Sequence, residues 1–463
     1  MGGHNQEVVV LMVPLPAQGH LNQLLHLSAL ILSHNIPVHY AGFAVHNRQA
    51  KLRSSSTAAT AGIKFHDFEI PTFSSPSPNP SSKDKFPSHL LPCFKASSHL
   101  REPVTLLLRS LSTRARKVIV IHDSLMGYVV QEVTSIPNAE SYTFHSISAF
   151  SIYLFKKHKA NGASLGYGNY TVPSLEGCYT EEFLDFVSSQ YQYNGFNSGY
   201  IYNACRLFEG EYLDSLEKEV SDGRKNAKHF ALGPFNPVVL RTSSKGKKHY
   251  CLEWLDKQET GSVIYVSFGT TTSLEDEQIE QLAIGLKRSN HKFIWALREA
   301  DQGDLFGNRK HQEDKVIDVS KSYEEKGKGL IVRDWAPQLE ILGHEAVGGF
   351  MSHCGWNSCM ESISMGVPVA GWPIHSDQPR NAFLLSHVLR VGLMVREWDT
   401  RDEMVGSEVV EDVIRRLMGS DEGAEEMRRR AAELGEAVRK SVVEEGGSSR
   451  SEFESFIKHI TRY

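Results

Sequence analysis

The sequence predicts an α/β protein with two doubly wound domains, and two observations carry this prediction. The chain has 463 residues, which is too long for one ordinary hydrophobic core and suggests two domains of about 200 residues each. An apolar stretch typical of a buried strand, followed by a glycine-containing loop, occurs at Val8 to Val13 and again at Ser262 to Phe268. Because the pattern starts twice, we expect two separate sheets with helices packed on them.

The first domain is predicted to open with a strand at Val8 to Val13, a Pro/Gly loop and a helix from about Asn22 through Ser33. A second strand is expected at Pro37 to Gly42, and Val118 to Ile121 continues the same pattern. Between these strands, Pro71 to Pro92 is rich in Ser, Pro and Lys, so it predicts a surface loop. The alternative for part of that loop is a mobile rim over a ligand pocket.

The second half of the chain follows a polar, basic segment, Asn236 to Tyr250, which predicts an interdomain linker. Near the C-terminus, Glu408 to Met418 and Glu425 to Val443 show the periodicity of amphipathic helices. A Gly446-Gly447 break then precedes a last helix from about Glu452 to Ile460. The predicted organisation is a first domain over residues 1–235, a linker over 236–250, a second domain over 251–445 and a final helix within 446–463.

The composition argues against several classes of protein. A net charge of −5 and a pI near 6.5 give no basic field for nucleic acid. The six cysteines are scattered without C-x-x-C spacing, which indicates neither a zinc site nor a disulfide framework. The N-terminus lacks the features of a signal peptide, and no apolar run approaches the roughly 20 residues that span a bilayer. We expect a cytoplasmic monomer with small-molecule partners and no membrane or nucleic-acid partner.

The most informative part of the chain is the 44-residue block from Trp335 to Gln378, WAPQLEILGHEAVGGFMSHCGWNSCMESISMGVPVAGWPIHSDQ. Within it, Val347 to Ser352 predicts a strand, the next residues predict a tight loop, and Cys359 to Met365 has helical character. A helix beginning at Asn357 or Ser358 would direct its unpaired N–H groups toward the strand tip, where a diphosphate can bind. The alternative is an ordinary strand–helix–strand unit with two buried tryptophans.

Two polar residues follow predicted strands of the first domain. His20 lies in Pro16-Ala17-Gln18-Gly19-His20 after the first strand, and Asp123 follows the strand Val118 to Ile121. Ligands bind at the carboxyl ends of parallel strands, so His20 is a candidate general base and Asp123 a candidate partner for its imidazole. The alternatives are a helix-capping or surface role for His20 and a helix-capping role for Asp123. His122 is interpreted as structural.

The block Trp335 to Gln378 resembles the signature of the plant secondary-product glycosyltransferases, which transfer sugars from UDP-sugars to small molecules. The resemblance implies the GT-B fold, in which two Rossmann-like domains face each other across the ligand cleft and the final helix crosses back onto the first domain. It also implies His20 as base and Asp123 as its orienter. The implied donor-site residues are Trp335 for the uracil, Gln338 and Glu361 for the ribose, Thr270, His353, Asn357 and Ser358 for the phosphates, and Trp356, Asp377 and Gln378 for the sugar, with Ala336 as a further member of the donor site.

The same resemblance implies the reaction type. The chain contains no Asp-x-Asp motif of the kind used by metal-dependent glycosyltransferases, so we expect neither a metal nor a cofactor, with UDP-glucose as co-substrate. Direct attack by an acceptor activated by His20 implies inversion to a β-glycoside. In the family a closing Gln, here Gln378, tends to accompany UDP-glucose, although relatives with this ending also use xylose or glucuronic acid.

The acceptor is indicated by three further stretches, Gly19 to Ile31, Ile121 to Val133 and Ser141 to Phe150. They resemble the zeatin O-glucosyltransferases, particularly the cis-zeatin enzymes of grasses, and imply the side-chain hydroxyl of a cytokinin as acceptor. The alternatives are a flavonoid or other phenolic acceptor, or a non-catalytic sugar-nucleotide or hormone-binding protein. A nicotinamide-dependent dehydrogenase is disfavoured because G-x-G-x-x-G is absent. The candidate pocket-wall residues are Phe86, Leu90, Phe144, His145 and Phe150.

Overall fold

The computed structural model describes residues 7–53, 60–161, 166–168, 170–218, 227–240, 248–298, 300–301 and 327–463. These residues form two parallel sheets, each covered by helices. Residues 241–247 of the predicted linker lie outside the described residues. No helix within the described part of the chain has the length and apolar character needed to cross a lipid bilayer.

The first sheet has seven parallel strands, and a separate two-stranded antiparallel hairpin follows in the same half of the chain. The sheet strands are β1 Val8–Val13, β2 Val38–Phe43, β3 Lys64–Phe68, β4 Lys117–Asp123, β5 Ala139–His145, β8 Gly199–Tyr202 and β9 Lys228–Ala231, and the hairpin is β6 Gly166–Tyr167 with β7 Tyr170–Thr171. The sheet order is β3-β2-β1-β4-β5-β8-β9. β2 and β4 lie on opposite sides of β1, so the strand order reverses between β1 and β4. Open α/β sheets bind ligands at such a switch point.

The helices of the first half cover both faces of this sheet, which explains why its central strands are almost continuously apolar. The α-helices are Gln18–Leu32, Ala44–Arg53, Leu91–Ala96, Arg101–Ser112, Gly127–Val130, Ala149–Asn161, Glu181–Tyr191 and Arg206–Lys218. Short 3₁₀ turns occur at Ser88–Leu90, Ser97–Leu100, Gln131–Ser135 and Asn194–Phe196.

The second sheet has six parallel strands with the same kind of switch point. Its strands are β10 Val263–Ser267, β11 Lys292–Ala296, β12 Gly329–Val332, β13 Val347–Ser352, β14 Val369–Gly371 and β15 Gly392–Met394, in the order β12-β11-β10-β13-β14-β15. The switch point lies between β10 and β13, so the loops after these two strands meet at one edge. The helices are Tyr250–Leu255, Asp276–Ser289, Gln338–Leu342, Trp356–Met365, Gln378–Phe383, Ser407–Met418, Glu422–Val443 and Ser448–Thr461, with a π segment at Leu384–Val388 and a 3₁₀ turn at Trp398–Thr400.

The last helix, Ser448–Thr461, packs on the first sheet although it follows the second sheet in sequence. Phe453, Phe456 and Ile460 belong to the same buried cluster as the apolar side chains of β1 and β2. The Phe456 ring lies 5.0 Å from the ring of Phe230 on β9 and is fully buried. The C-terminus therefore holds the two halves of the chain together through apolar burial.

Several helix starts differ from the sequence-based expectation, and three of them are instructive. The helix expected from Asn22 begins at Gln18, and no side-chain cap marks its start, because Ala17 occupies the capping position. The predicted loop Pro71 to Pro92 ends too late, since a helix begins at Leu91 with Pro92 in its first turn, where proline is tolerated. The last helix begins at Ser448, four residues before the expected position, directly after Gly447.

Candidate active site

The two switch points lie against each other, so residues from the carboxyl ends of both sheets meet in one cleft. Asn357, in the first turn of the helix Trp356–Met365, donates from Nδ2 to the backbone oxygen of Gly19 at 2.9 Å. Gly19 precedes His20 in the helix that follows β1. The loop predicted to bind phosphate is thus hydrogen-bonded directly to the segment that carries the candidate base.

His20 and Asp123 form the central contact of the first half of the cleft. His20 Nδ1 lies 2.6 Å from Asp123 Oδ2, with Asp123 fully buried and the His20 side chain 24% exposed. The other carboxylate oxygen, Oδ1, accepts the backbone N–H of Leu125 at 2.9 Å, which fixes the carboxylate plane. With Nδ1 directed at Asp123, the other imidazole nitrogen, Nε2, remains for an acceptor hydroxyl.

The pKa of His20 is raised above its ordinary value. Burial lowers the pKa, but the negative charge of Asp123, its hydrogen bond and the more distant charge of Asp377 outweigh that effect. Stabilisation of the protonated imidazole is what a base needs as it takes a proton in the transition state. The alternative capping role for Asp123 is only partly realised, because the next α-helix begins at Gly127 and the carboxylate bonds a loop N–H instead.

His122, interpreted as structural, is fully buried and faces away from this pair. Its Nε2 lies 2.9 Å from Asn197 Oδ1, and its Nδ1 lies 2.8 Å from the backbone oxygen of Asp123. Both ring nitrogens are therefore occupied by structural contacts. Burial lowers the pKa of His122, while its hydrogen bonds to Asn197 and to the backbone of Asp123 act in the opposite direction.

The predicted phosphate site is built from the loops after β10 and β13. Gly269 has φ +78°, and a Cβ placed on it would lie 2.5 Å from His353 Nε2, so the close approach requires glycine. Burial lowers the pKa of His353 to about 4, which keeps the ring neutral at physiological pH. Its buried Nδ1 has no hydrogen-bond partner among the described residues. Thr270 follows Gly269 on the same loop and is partly buried.

The helix Trp356–Met365 begins without a side-chain cap on Gly355, which leaves its first backbone N–H groups open toward the cleft. The Trp356 indole points elsewhere: it is 3% exposed, and its Nε1 donates to the backbone oxygen of Asn203 at 2.7 Å. The side chain of Trp356 therefore joins the two halves of the protein. Only its backbone, in the first helical turn, remains free to face a sugar or phosphate.

The residues expected to hold the ribose are adjacent in space. Gln338 Nε2 donates to Glu361 Oε2 at 2.7 Å and to Ser358 Oγ at 2.9 Å. Burial raises the pKa of Glu361 to about 7, against the opposing effect of the Gln338 hydrogen bond. Two ribose hydroxyls donating to this carboxylate would satisfy oxygens that are otherwise poorly solvated.

The expected uracil platform, Trp335, is covered from the first half of the chain. The guanidinium carbon of Arg53 lies 4.9 Å from the Trp335 ring centroid, and that of Arg298 lies 5.8 Å away. Arg53 is held there by a bidentate ion pair with Asp301, with distances of 2.6 and 2.8 Å. Ala336, next to Trp335, is buried.

Asp377 and Gln378 lie at the start of the helix Gln378–Phe383. Gln378 Oε1 accepts the backbone N–H groups of Ile374 and His375 at 2.9 and 3.0 Å, so its carbonyl fixes the loop. Its Nε2 lies 3.3 Å from His375 Nδ1 and 3.4 Å from His375 Nε2, so the NH₂ group also contacts this ring. Burial raises the pKa of Asp377, while a hydrogen bond from Asn381 and the nearby charges of His20 and Arg380 act in the opposite direction.

The five predicted pocket-wall residues divide into two groups. Phe86 lies beside the donor loop, with its ring 6.1 Å from that of His375, and His145 stacks on Tyr202 at 5.2 Å behind Asp123. Leu90 packs into the apolar cluster of the first half and is 6% exposed.

Phe144 and Phe150 are fully buried, so neither side chain exposes surface in this structure, and their place in the acceptor pocket stays a prediction. Phe144 packs against Phe235 in the sheet core, and Phe150 packs between Tyr212 and Phe383. An aromatic residue near a site motif is more often part of the core than of a pocket, and the sequence alone does not distinguish the two.

Sequence analysis missed two features of the cleft. Asn381 hydrogen-bonds Asp377 Oδ2 at 2.7 Å, and the four-residue spacing of the pair along a helix is a signal that could have identified it. The pairing of Arg53 with Asp301 joins residues 248 positions apart, and no local pattern predicts it.

Comparison with known proteins places this geometry in a family. The family model described as "Glycosyltransferase, N-terminal domain" matches residues 6–237, and the one described as "UDP-glucoronosyl and UDP-glucosyl transferase" matches residues 242–415. A solved structure, a UGT transferase from Siraitia grosvenorii in complex with UDP, superposes with a TM-score of 0.75 at 26% identity and covers 98% of this chain and 100% of that chain. The predicted GT-B fold is thereby confirmed.

Three relatives align over nearly their whole lengths. Zeatin O-glucosyltransferase of Phaseolus lunatus is 54% identical, with 99% of this chain and 98% of that protein covered. Zeatin O-xylosyltransferase of Phaseolus vulgaris is 50% identical with 98% of each chain covered, and cis-zeatin O-glucosyltransferase 2 of Zea mays is 41% identical with 99% of each covered. The chain therefore belongs to the UDP-glycosyltransferase family of plants, in the group of the zeatin O-glycosyltransferases.

Proposed function

We propose that this protein transfers glucose from UDP-glucose to the side-chain hydroxyl of zeatin and releases UDP and a zeatin O-β-glucoside. The glycosyltransferase class and the use of a UDP-sugar follow from the family. The zeatin acceptor is supported by the relatives with 54%, 50% and 41% identity, whose names all specify zeatin. The higher identity to the Phaseolus enzymes gives no support to cis-zeatin over trans-zeatin, so the cis preference stays a prediction.

The observation that carries the proposal is the 2.6 Å contact between His20 Nδ1 and Asp123 Oδ2 beside the donor half of the cleft. In the proposed reaction the acceptor hydroxyl gives its proton to His20 Nε2 as its oxygen attacks the anomeric carbon. Asp123 stabilises the imidazolium that forms and keeps the ring in the correct orientation. Attack on the face opposite the leaving diphosphate converts an α-linked donor into a β-glycoside.

Departure of UDP places negative charge on its β-phosphate. The open N–H groups at the start of the helix Trp356–Met365 and the positive end of its dipole would stabilise that charge. A neutral His353, whose Nδ1 is buried and unpaired among the described residues, would add one hydrogen bond. The carboxylates of Glu361 and Asp377 would accept ribose and glucose hydroxyls on either side of the diphosphate.

The donor sugar is the less constrained part of the proposal. Gln378 supports glucose, but its carbonyl oxygen already accepts two loop N–H groups, and its NH₂ group lies 3.3 Å from His375 Nδ1, which leaves one N–H for the sugar. A relative that is 50% identical is named for xylose transfer. Glucose and xylose differ by one hydroxymethyl group, so the pocket needs only a small change in volume to prefer one of them.

The test is product formation measured by mass spectrometry with purified protein. UDP-glucose and UDP-xylose are each offered with cis-zeatin, trans-zeatin and a flavonol in separate reactions. The proposal expects a mass increase of one glucosyl group on a zeatin isomer and none on the flavonol. Product from the flavonol alone would retain the enzyme class and reject the cytokinin acceptor, and binding of UDP-glucose without any product would favour a non-catalytic role.

A further inference from the structure

Asn381 connects the two halves of the protein through one fully buried amide. Its Oδ1 accepts the Ser148 hydroxyl at 2.9 Å and lies 3.3 Å from Ser151 Oγ, and both serines belong to the first half of the chain. Its Nδ2 donates to Asp377 Oδ2 at 2.7 Å and to the backbone oxygen of Cys354 at 3.0 Å, both in the second half. Two donors and two acceptor sites of the amide are therefore all used.

The geometry of an amide makes these contacts interdependent. The group is planar, so the direction of its N–H bonds toward Asp377 is set by what holds its oxygen. Here the oxygen is held by Ser148, which also caps the helix Ala149–Asn161 by accepting the N–H of Ser151 at 3.0 Å. Separation of the two halves would release Oδ1 and leave the amide free to rotate about its side-chain bonds.

Arg380, which precedes Asn381 in sequence, adds contacts between the helices Gln378–Phe383 and Ala149–Asn161. Arg380 is 2% exposed, and its Nη1 donates to the backbone oxygen of Ser151 at 3.3 Å. Its guanidinium carbon lies 4.6 Å from the centroid of the Phe155 ring. The start of the helix Ala149–Asn161 is fixed from its own side as well, because Glu209 Oε1 accepts the N–H of Phe150 at 3.0 Å. Ser148 is therefore a rigid anchor for the Asn381 amide.

We propose that Asn381 is a positioning residue that holds Asp377 against the donor sugar only when Ser148 of the first domain is docked on it, and so couples recognition of the sugar to domain closure. The proposal rests on the proposed function only in assigning Asp377 to the sugar. It does not depend on the identity of the acceptor. The group that Asn381 positions is the Asp377 carboxylate, which would accept hydrogen bonds from hydroxyl groups of the hexose.

The test compares binding of UDP-glucose with binding of UDP by calorimetry in the absence of acceptor, because UDP lacks the sugar that Asp377 would hold. Asn381→Asp is isosteric but replaces the N–H donor with an oxygen facing Asp377. We expect the ratio of the Kd of UDP-glucose to the Kd of UDP to rise about tenfold or more, as for a hydrogen bond to a charged group. The UDP affinity itself should stay within about twofold of the wild-type value.

Ser148→Ala tests the contact from the first domain and keeps Asn381 in place. It should raise the same ratio severalfold, on the order of a neutral hydrogen bond. The matched control is Thr180→Ala, which also removes a hydroxyl helix cap, here on the N–H of Phe183, without touching Asn381. That variant should leave the ratio unchanged, so a general loss of stability is separated from a loss of positioning.

An unchanged ratio in Asn381→Asp would overturn the proposal, and so would an equal loss of UDP and UDP-glucose affinity. A Ser148→Ala variant that behaves like Thr180→Ala would overturn the coupling to the first domain, and this variant decides the question if Asn381→Asp fails to fold. The assay stays informative if zeatin is not glucosylated, because no acceptor is present. Failure of the proposed function and failure of this proposal are therefore distinguishable.

Discussion

At the scale of single residues, the proposed reaction depends on the imidazole of His20, whose pKa is lowered by burial but raised further by the charges of Asp123 and Asp377. His20 and Asp123 are 103 positions apart, yet their atoms lie 2.6 Å apart because β1 and β4 are neighbours in the sheet. Strand positions made both residues candidates, and only the family resemblance favoured the base and orienter roles over capping. The contact between them supports the proposed roles of His20 as base and Asp123 as its orienter.

Replacement of His20 by alanine should abolish glycosyl transfer while UDP still binds. Loss of a general base typically lowers kcat by about 10²- to 10⁴-fold, and none of the predicted UDP-binding residues is altered by this change. The measurements are kcat from product formation and the Kd of UDP by calorimetry. His99→Ala, which removes an exposed histidine of the first domain, is the control, and turnover by His20→Ala at the wild-type rate would exclude His20 as the base.

Replacement of Asp123 by asparagine should shift the pH dependence of kcat/KM. A base must be neutral to act, so activity rises as the pH increases through the raised pKa of His20 in the wild-type enzyme. Without the Asp123 charge that pKa falls, and the acidic limb of the profile should move to lower pH while the maximal rate decreases. An acidic limb that stays in place would show that another group titrates there.

The predicted pocket-wall residues show what a local sequence pattern leaves undecided. Phe144 and His145 are adjacent in sequence, but alternation along β5 places one in the sheet core and the other against Tyr202 behind Asp123. The local sequence shows only that both positions carry a ring-containing side chain near a candidate site. Deciding between them requires the packing on both faces of the sheet, which a local motif does not contain.

At the scale of elements, the phosphate site depends on backbone conformation as much as on side chains. Strand Val347–Ser352 was predicted with its exact limits, and its helix begins at Trp356, one residue before the expected range. This agreement arises because the tight loop contains glycine and capping-type residues. The helix that carries His20 was misplaced by four residues because Ala17 gives no capping signal.

Substitution of Gly269 by alanine should weaken UDP binding. The residue has φ +78°, and an added Cβ would lie 2.5 Å from His353 Nε2, so the ring must move away from the phosphate position. The matched control is Gly261→Ala, where φ is +66° and no atom lies within 4 Å of the added Cβ. Both variants should lose about 1–2 kcal/mol of stability from backbone strain, measured by denaturant unfolding.

Only Gly269→Ala should also lower the affinity for UDP, measured by calorimetry. Equal UDP affinities in the two glycine variants would show that the contact between the two loops does not shape the phosphate site.

Removal of divalent metals should leave activity intact. The open helix start at Trp356 and the neutral His353 would supply the stabilisation of the diphosphate, and the chain has no Asp-x-Asp motif. We expect equal rates with EDTA and with added magnesium, measured by UDP release. A rate that falls with EDTA and recovers with magnesium would assign leaving-group stabilisation to a metal instead.

At the scale of the whole molecule, specific hydrogen bonds and apolar contacts hold the two halves together around the cleft. Asn357 bonds Gly19, Trp356 bonds Asn203, and the final helix buries Phe456 in the core of the first half. The arrangement of two domains around a cleft was predictable through the family resemblance. The individual bridging contacts were not, because residues such as Arg53 and Asp301 are 248 positions apart and no local pattern pairs them.

In the proposed reaction, an acceptor hydroxyl activated by His20 attacks the sugar directly, on the face opposite UDP. The measurement that tests this most directly is the anomeric configuration of the glucoside made from UDP-glucose and zeatin, determined by NMR from the coupling of the anomeric proton. Direct attack should give the β-glucoside from the wild-type enzyme. An α-glucoside would contradict direct attack and require a different catalytic arrangement.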